Sequence, residues 1–245
     1  MNRRVTVAVA ARVLTQLRRD HRTLAMLLVV PCVLITLLWW MFEDLPGDIF
    51  DRFGPALLAL FPFIIMFLVT SVTTLRERSS GTLERLLAMP MGKGDFLLGY
   101  ALAFGLVATV QALLAVALSV GLLGLEVLGP VWLLGLVAVV DAVLGTALGL
   151  FVSAFAATEF QAVQFMPAVV LPQLLLCGLF VPRSAMPDVL EAISNVLPLS
   201  YAVDAMKTLT QSSEVGEVWG DLGIVLGFVV GGLALGAATL RRRTP

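Results

Sequence analysis

Val131-Trp132-Leu133-Leu134-Gly135-Leu136-Val137-Ala138-Val139-Val140-Asp141-Ala142-Val143-Leu144-Gly145-Thr146-Ala147-Leu148-Gly149-Leu150-Phe151-Val152-Ser153-Ala154-Phe155-Ala156-Ala157 carries a single charge, Asp141. A helix rises about 1.5 Å per residue, and the hydrocarbon core of a bilayer is about 30 Å thick, so about 20 apolar residues suffice to cross it. This run is long enough. Five further apolar segments flank it, at about 24–42, 55–74, 96–119, 162–181 and 221–240. Together with 131–157 they predict an all-α polytopic membrane protein with six transmembrane helices.

Composition points the same way. The 245 residues are 59% hydrophobic and 13% charged, with a mean hydropathy of +0.99. Soluble domains run about 45–50% apolar and about 25% charged. A water-soluble enzyme and a disordered chain are both excluded. The longest connection between spans, 182–220, is too short for an independent core, so no soluble domain is expected.

The few charges are sorted by side. Of 16 Lys and Arg, six lie in the amino-terminal segment, four between the second and third spans, and three in Arg241-Arg242-Arg243. Only Arg52, Arg183 and Lys207 fall on the opposite side, with 11 of the 17 acids. The positive-inside rule makes both termini and the second-to-third connection cytoplasmic. Trp39, Trp40, Trp132 and Trp219 all fall at the outer ends of spans, where amphipathic aromatics settle. The first 23 residues are basic and amphipathic without a continuous apolar core, so no signal peptide is expected. Cys32 and Cys177 lie inside apolar runs, the setting of small core or lipid-facing residues rather than of a disulfide or a metal site.

Four segments are more than simple spans. In residues 3–22, Val5, Val9, Val13 and Leu17 recur every fourth residue with Arg4, Arg12 and Arg19 on another face. The pattern predicts an interfacial helix on the cytoplasmic leaflet, against the plainer reading of a charged topology anchor. In residues 75–95, Leu83, Leu86 and Leu87 show i, i+3, i+4 spacing ahead of Pro90 and Gly92. This short helix suits a partner's groove, and a solvated loop is the alternative on spacing alone. Residues 182–210 read as an amphipathic helical pair, the first helix opened by Pro187 and closed by Pro198. They predict a re-entrant or interfacial outer hairpin rather than a plain surface cap. Asp141 lies near the bilayer midplane. It reads either as a substrate- or ion-path residue or as a buried aspartate bonded to a neighbour such as Gln111 or Gln164.

Several chemistries are absent from the sequence. Neither Lys93 nor Lys207 sits in a phosphate-cradling G-x-x-x-x-G-K-[ST] loop, and the lone His21 rules out a two-histidine zinc helix. Gly92-Lys93-Gly94-Asp95 resembles an intramembrane aspartyl protease motif, with Asp141 as the other carboxylate. Asp95 sits at a span edge and Asp141 near mid-membrane, about 24 Å apart in depth at about 1.5 Å per residue, so they cannot share a water. No catalytic residue and no metal ligand is assigned.

In order along the chain, Arg76-Glu77-Arg78-Ser79-Ser80-Gly81-Thr82-Leu83-Glu84-Arg85-Leu86-Leu87-Ala88-Met89-Pro90 resembles the cytoplasmic signature of ABC type-2 permeases. Phe180-Val181-Pro182-Arg183-Ser184-Ala185-Met186-Pro187, followed by Leu197-Pro198-Leu199-Ser200-Tyr201-Ala202-Val203-Asp204-Ala205-Met206, resembles their outer hairpin. The drug-exporter branch, similar to daunorubicin-resistance permeases, fits best. The resemblance implies that residues 1–245 form a single transmembrane domain, one half of a dimeric exporter's membrane unit in a bacterial plasma membrane. The second permease subunit would be identical or different, giving a homodimer or heterodimer. It implies a coupling helix that docks on a separate ABC ATPase through Glu77, Arg78, Gly81, Thr82, Leu83, Glu84, Arg85, Leu86 and Leu87, with the amino-terminal helix as the connecting helix beside it. It also implies that Pro187, Pro198, Tyr201 and Asp204 belong to the outer hairpin. ATP and Mg would be bound by the ATPase and no cofactor by this chain. Membrane lipids would surround the permease, and no nucleic acid is involved. The expected function is multidrug or lipid efflux, with a secondary transporter or channel using Asp141 as the alternative and a non-transporting scaffold as a third class.

Overall fold

The computed structural model describes residues 3–79 and 92–239, without the side chains of residues 78, 79 and 93. Every regular element among them is helical: α1 (Arg3–Arg19), α2 (His21–Phe42), α3 (Ile49–Ser79), α4 (Lys93–Gly121), α5 (Val131–Val152), α6 (Glu159–Leu176), α7 (Asp188–Ser194), α8 (Pro198–Gln211) and α9 (Gly216–Thr239), with a 3-10 turn at Arg183–Ala185 before α7. Six of them, α2 to α6 and α9, are long and apolar enough to cross a membrane. They alternate in direction and define two ends. One carries the arginines of α1, and the other carries α7 and α8.

Local chemistry sets the breaks. Asp20 separates α1 from α2, its carboxylate accepting from Thr23 N at 3.2 Å and Thr23 Oγ1 at 2.7 Å, an N-cap that satisfies an orphan helix donor. Thr158 caps α6 in the same way through Gln161 N. The sixth span begins at Gly216 rather than near 221, so Trp219 lies inside α9, its ring 6.2 Å from that of Trp132 at the head of α5. The fifth span ends at Leu176 rather than near 181, because Gly178 turns left-handed at φ +84° and redirects the chain.

The bundle is organised around α5, which packs most extensively on α3 and then on α9 and α4. Small residues make this possible. A Cβ on Gly149 would stand 2.5 Å from Phe67 O and 3.2 Å from Ser71 N, and one on Gly145 would collide with Phe63 O. Backbones this close exchange dispersion contacts that lipid tails do not match. The stripe on α1 is also covered by protein. Val9, Val13 and Leu17 are buried, and Val9 sits where a Cβ on Gly99 of α4 would be, at 2.6 Å.

Candidate functional site

At the arginine-rich end, the last turns of α3 are held from two sides. Arg12 Nη2 donates to both carboxylate oxygens of Glu77, at 3.0 and 2.8 Å, and Gln16 Nε2 donates to Glu77 Oε1 at 3.2 Å. The Glu77 side chain is only 14% exposed, so this pair is less screened than a surface contact. One residue earlier, Arg76 donates to Glu159 at the start of α6, at 3.0 and 3.1 Å. That pair is half-exposed and contributes little by itself, but it links α3 to the fifth span. Asp95 belongs to the same end. Its carboxylate accepts from Gly92 N at 3.1 Å and Thr6 Oγ1 at 3.3 Å, tying α4 to α1.

At the hairpin end, α7 and α8 are sewn to the end of α6 by buried polar contacts. Ser194 Oγ donates to Leu176 O at 2.7 Å and lies 3.1 Å from Ser200 Oγ. Gln173 Oε1 accepts from Leu199 N at 3.3 Å, supplying a cap at the start of α8. Lys207 Nζ donates to Gly178 O. The Arg183 guanidinium donates to Asp204 and to Asn195 Oδ1 and lies 4.9 Å from the centre of the Tyr201 ring. Tyr201 OH in turn donates to Asn195 O at 2.7 Å.

These contacts wall a cavity of about 490 Å³ lined by Arg52, Arg183, Lys207, Asp204, Glu191 and Asn195, among others. Burial raises the Asp204 carboxyl above its ordinary range even though Arg183 and Lys207 pull it down. Burial also lowers the Lys207 ammonium, with Asp204 opposing and Arg52 adding to the shift.

Among the residues expected from sequence, Tyr201 and Asp204 are brought together through Arg183, while Pro187 and Pro198 serve as the residue before α7 and the first residue of α8. Glu77 is engaged by α1. Gly81, Thr82, Leu83, Glu84, Arg85, Leu86 and Leu87, and the side chain of Arg78, lie outside the described residues. Asp141 is fully buried on α5, with no hydrogen-bond partner for either carboxylate oxygen among the described residues. Gln111, one suggested neighbour, donates instead to Leu27 O at 2.8 Å. The sequence reading assigned no role to Arg52, Arg183 or Lys207. The signal was present, since these are the only three bases on the acid-rich side.

Six apolar helices with α5 the most buried of them, charged ties at one end and a polar hairpin at the other define a multi-pass helical membrane protein. The ABC-2 type transporter family matches residues 4–209, and the chain belongs to that family of permeases. It is 27% identical over 169 residues to a probable multidrug ABC transporter permease, YbhR, of Escherichia coli K12, covering 69% of this chain and 46% of that protein. It is 28% identical over 182 residues to the inner membrane transport permease YhhJ of the same organism, covering 74% and 48%. ABC transporter G family member 20 of Dictyostelium discoideum matches at 27% over 184 residues, covering 74% of this chain and 25% of that protein. The chain thus spans about half the length of the bacterial relatives it matches.

Proposed function

We propose that the chain is the membrane subunit of an ATP-driven exporter in a bacterial plasma membrane, with both termini cytoplasmic, moving a lipophilic drug or lipid-like substrate outward. A separate ABC ATPase docks beneath it on the segment around Thr82–Ala88. Nucleotide binding and hydrolysis there shift the permease between states of different substrate affinity. The observation that carries this reading is membership of the ABC-2 type transporter family, matched across residues 4–209. The Arg12–Glu77 tie supports it, because it fastens the amino-terminal helix to the chain leading into the docking segment. A second permease subunit, covering the exposed faces of α2 and α6, completes the membrane unit, and the path runs between the subunits along α2, α3 and α6. At the hairpin end, exposed Val189, Ile193 and Val196 face lipid.

The test is the double substitution Glu84→Ala, Arg85→Ala. ATP-dependent accumulation in inverted vesicles and co-purification with the ATPase are expected to fall together, each by about tenfold, as charge-assisted contacts are removed. Undiminished transport with normal expression would sink the docking role.

A further inference from the structure

We propose that the cavity at the hairpin end binds a phosphate-class monoanion between Arg52 and Lys207. The two bases come from different elements, Arg52 from the first turn of α3 and Lys207 from α8, and both line the cavity beside Arg183 of the 3-10 turn. Three cations drawn together near a bilayer are costly unless negative charge answers them.

The existing carboxylates answer only part of that charge. Asp204 is taken by Arg183, whose other amino group is on Asn195. Among the described residues the Lys207 ammonium donates one hydrogen bond, to the uncharged Gly178 O. Arg52 is exposed and lies 5.6 Å from the centre of the Phe53 ring, and its guanidinium has no ion pair or hydrogen bond among the described residues. With three cations against Asp204 and Glu191, the lining carries one net positive charge. Asp221 of α9 acts on Asp204 and Arg183, whereas Lys207 feels Asp204, Cys177 and Arg52. Asp204 is thus shared between Arg183 and Lys207, and Arg52 is the lining cation with no carboxylate ion pair among the described residues.

Geometry sets the size and shape of the ligand. A volume of about 490 Å³ is large against the roughly 30 Å³ share of one water, so a headgroup fits better than a bare halide. Arg and Lys donors suit phosphate oxygens. Phe180, which also lines the cavity, is 57% exposed, and its neighbour Val181 is 45% exposed. They offer an apolar lip along which an acyl chain can leave. The phosphate could be a lipid headgroup or free inorganic phosphate. The site rests on this cavity and not on the transport reading, so its failure leaves that reading standing.

The experiment titrates the full chain in dodecyl maltoside micelles with dioctanoyl phosphatidylglycerol, dioctanoylglycerol and inorganic phosphate. Arg52→Gln is compared with wild type and with Arg22→Gln at the other end of the bundle. The phospholipid is expected to bind wild type and Arg22→Gln alike and Arg52→Gln about tenfold more weakly, the cost of one charged hydrogen-bond donor. Arg52-dependent binding of inorganic phosphate alone identifies the free ion as sufficient; binding of the phospholipid alone identifies the headgroup as the source. Equal binding to Arg52→Gln, or equally tight binding of the phosphate-free glycerolipid, overturns the site. Glu191→Gln keeps the test open if the arginine variant folds poorly. It removes a wall carboxylate and should tighten binding about threefold, and weaker binding would contradict the proposal.

Discussion

The helices α2 and α5 have the same length and nearly the same apolarity, and they meet opposite surroundings. Each has 22 residues, yet in their most apolar stretches 17% of α2 and 78% of α5 is buried within the chain. Side-chain size separates them. The face that α5 turns to its neighbours includes Gly135, Ala138, Ala142, Gly145 and Gly149, while α2 presents Met26, Val29, Val33, Leu37 and Trp40 outward. Apolarity determines that a helix enters the bilayer. Once it is there, lipid tails compete equally for large apolar side chains, and small residues decide which helices touch.

The sharpest way to break this contrast is Gly149→Leu. The new side chain would meet α3 backbone at Phe67 and Ser71, and backbone cannot swing aside as a side chain can. The substitution is expected to destabilise the bundle by about 3 kcal/mol, read as a lower unfolding midpoint in micelles and loss of monodisperse protein. An unchanged midpoint would mean that α3 and α5 do not approach as closely as Gly145 and Gly149 suggest.

Asp141 tests the same helix from the polar side. Its two oxygens are buried without partners among the described residues, in the least accessible span, where an uncompensated carboxylate is costly. Asp141→Asn keeps the shape and cannot ionise. Stability is expected to rise by about 1 kcal/mol, measured by the same unfolding midpoint. If Asp141 also lies on the substrate path, transport should fall while stability rises. Wild-type transport with raised stability makes the residue purely structural, and lowered stability would mean that the carboxylate has a partner beyond this chain.

How much of this was readable in the sequence follows from the range of each interaction. The six spans were legible because apolarity is a local property, and α5 begins at Val131, where the apolar run does. The stripe Val9, Val13, Leu17 was legible too, but not that Gly99 of α4 receives it. The end of α6 was misplaced by several residues because it depends on Gly178 and on Ser194 reaching back to Leu176 O. Periodicity carries no record of such contacts. Tyr201 and Asp204 were picked out by resemblance. Their meeting through Arg183, and the cavity shared with Arg52 and Lys207, required the fold to bring distant residues together. The Gly145-x-x-x-Gly149 spacing was in plain view and signals close helix packing, but it does not say which helix will be the partner.

The smallest expected effect sharpens the comparison from the α2 side. Leu37 is 54% exposed and borders a shallow apolar groove of about 300 Å³ with Cys32, Val33, Thr36, Trp40 and Leu118. Leu37→Ala should change the unfolding midpoint of the isolated chain by less than about 0.5 kcal/mol, the usual range for a side chain outside the core. A loss of 2 kcal/mol or more would mean that α2 is packed within the chain as α5 is, and the contrast would fail. Leu37→Arg then asks what the face is for. If it only meets lipid tails, the arginine disturbs insertion and expression. If it meets a second permease, the arginine should abolish crosslinking between copies or with a paired permease while the isolated chain still folds. That outcome would explain why a helix as apolar as α2 leaves so much of its surface uncovered by its own chain.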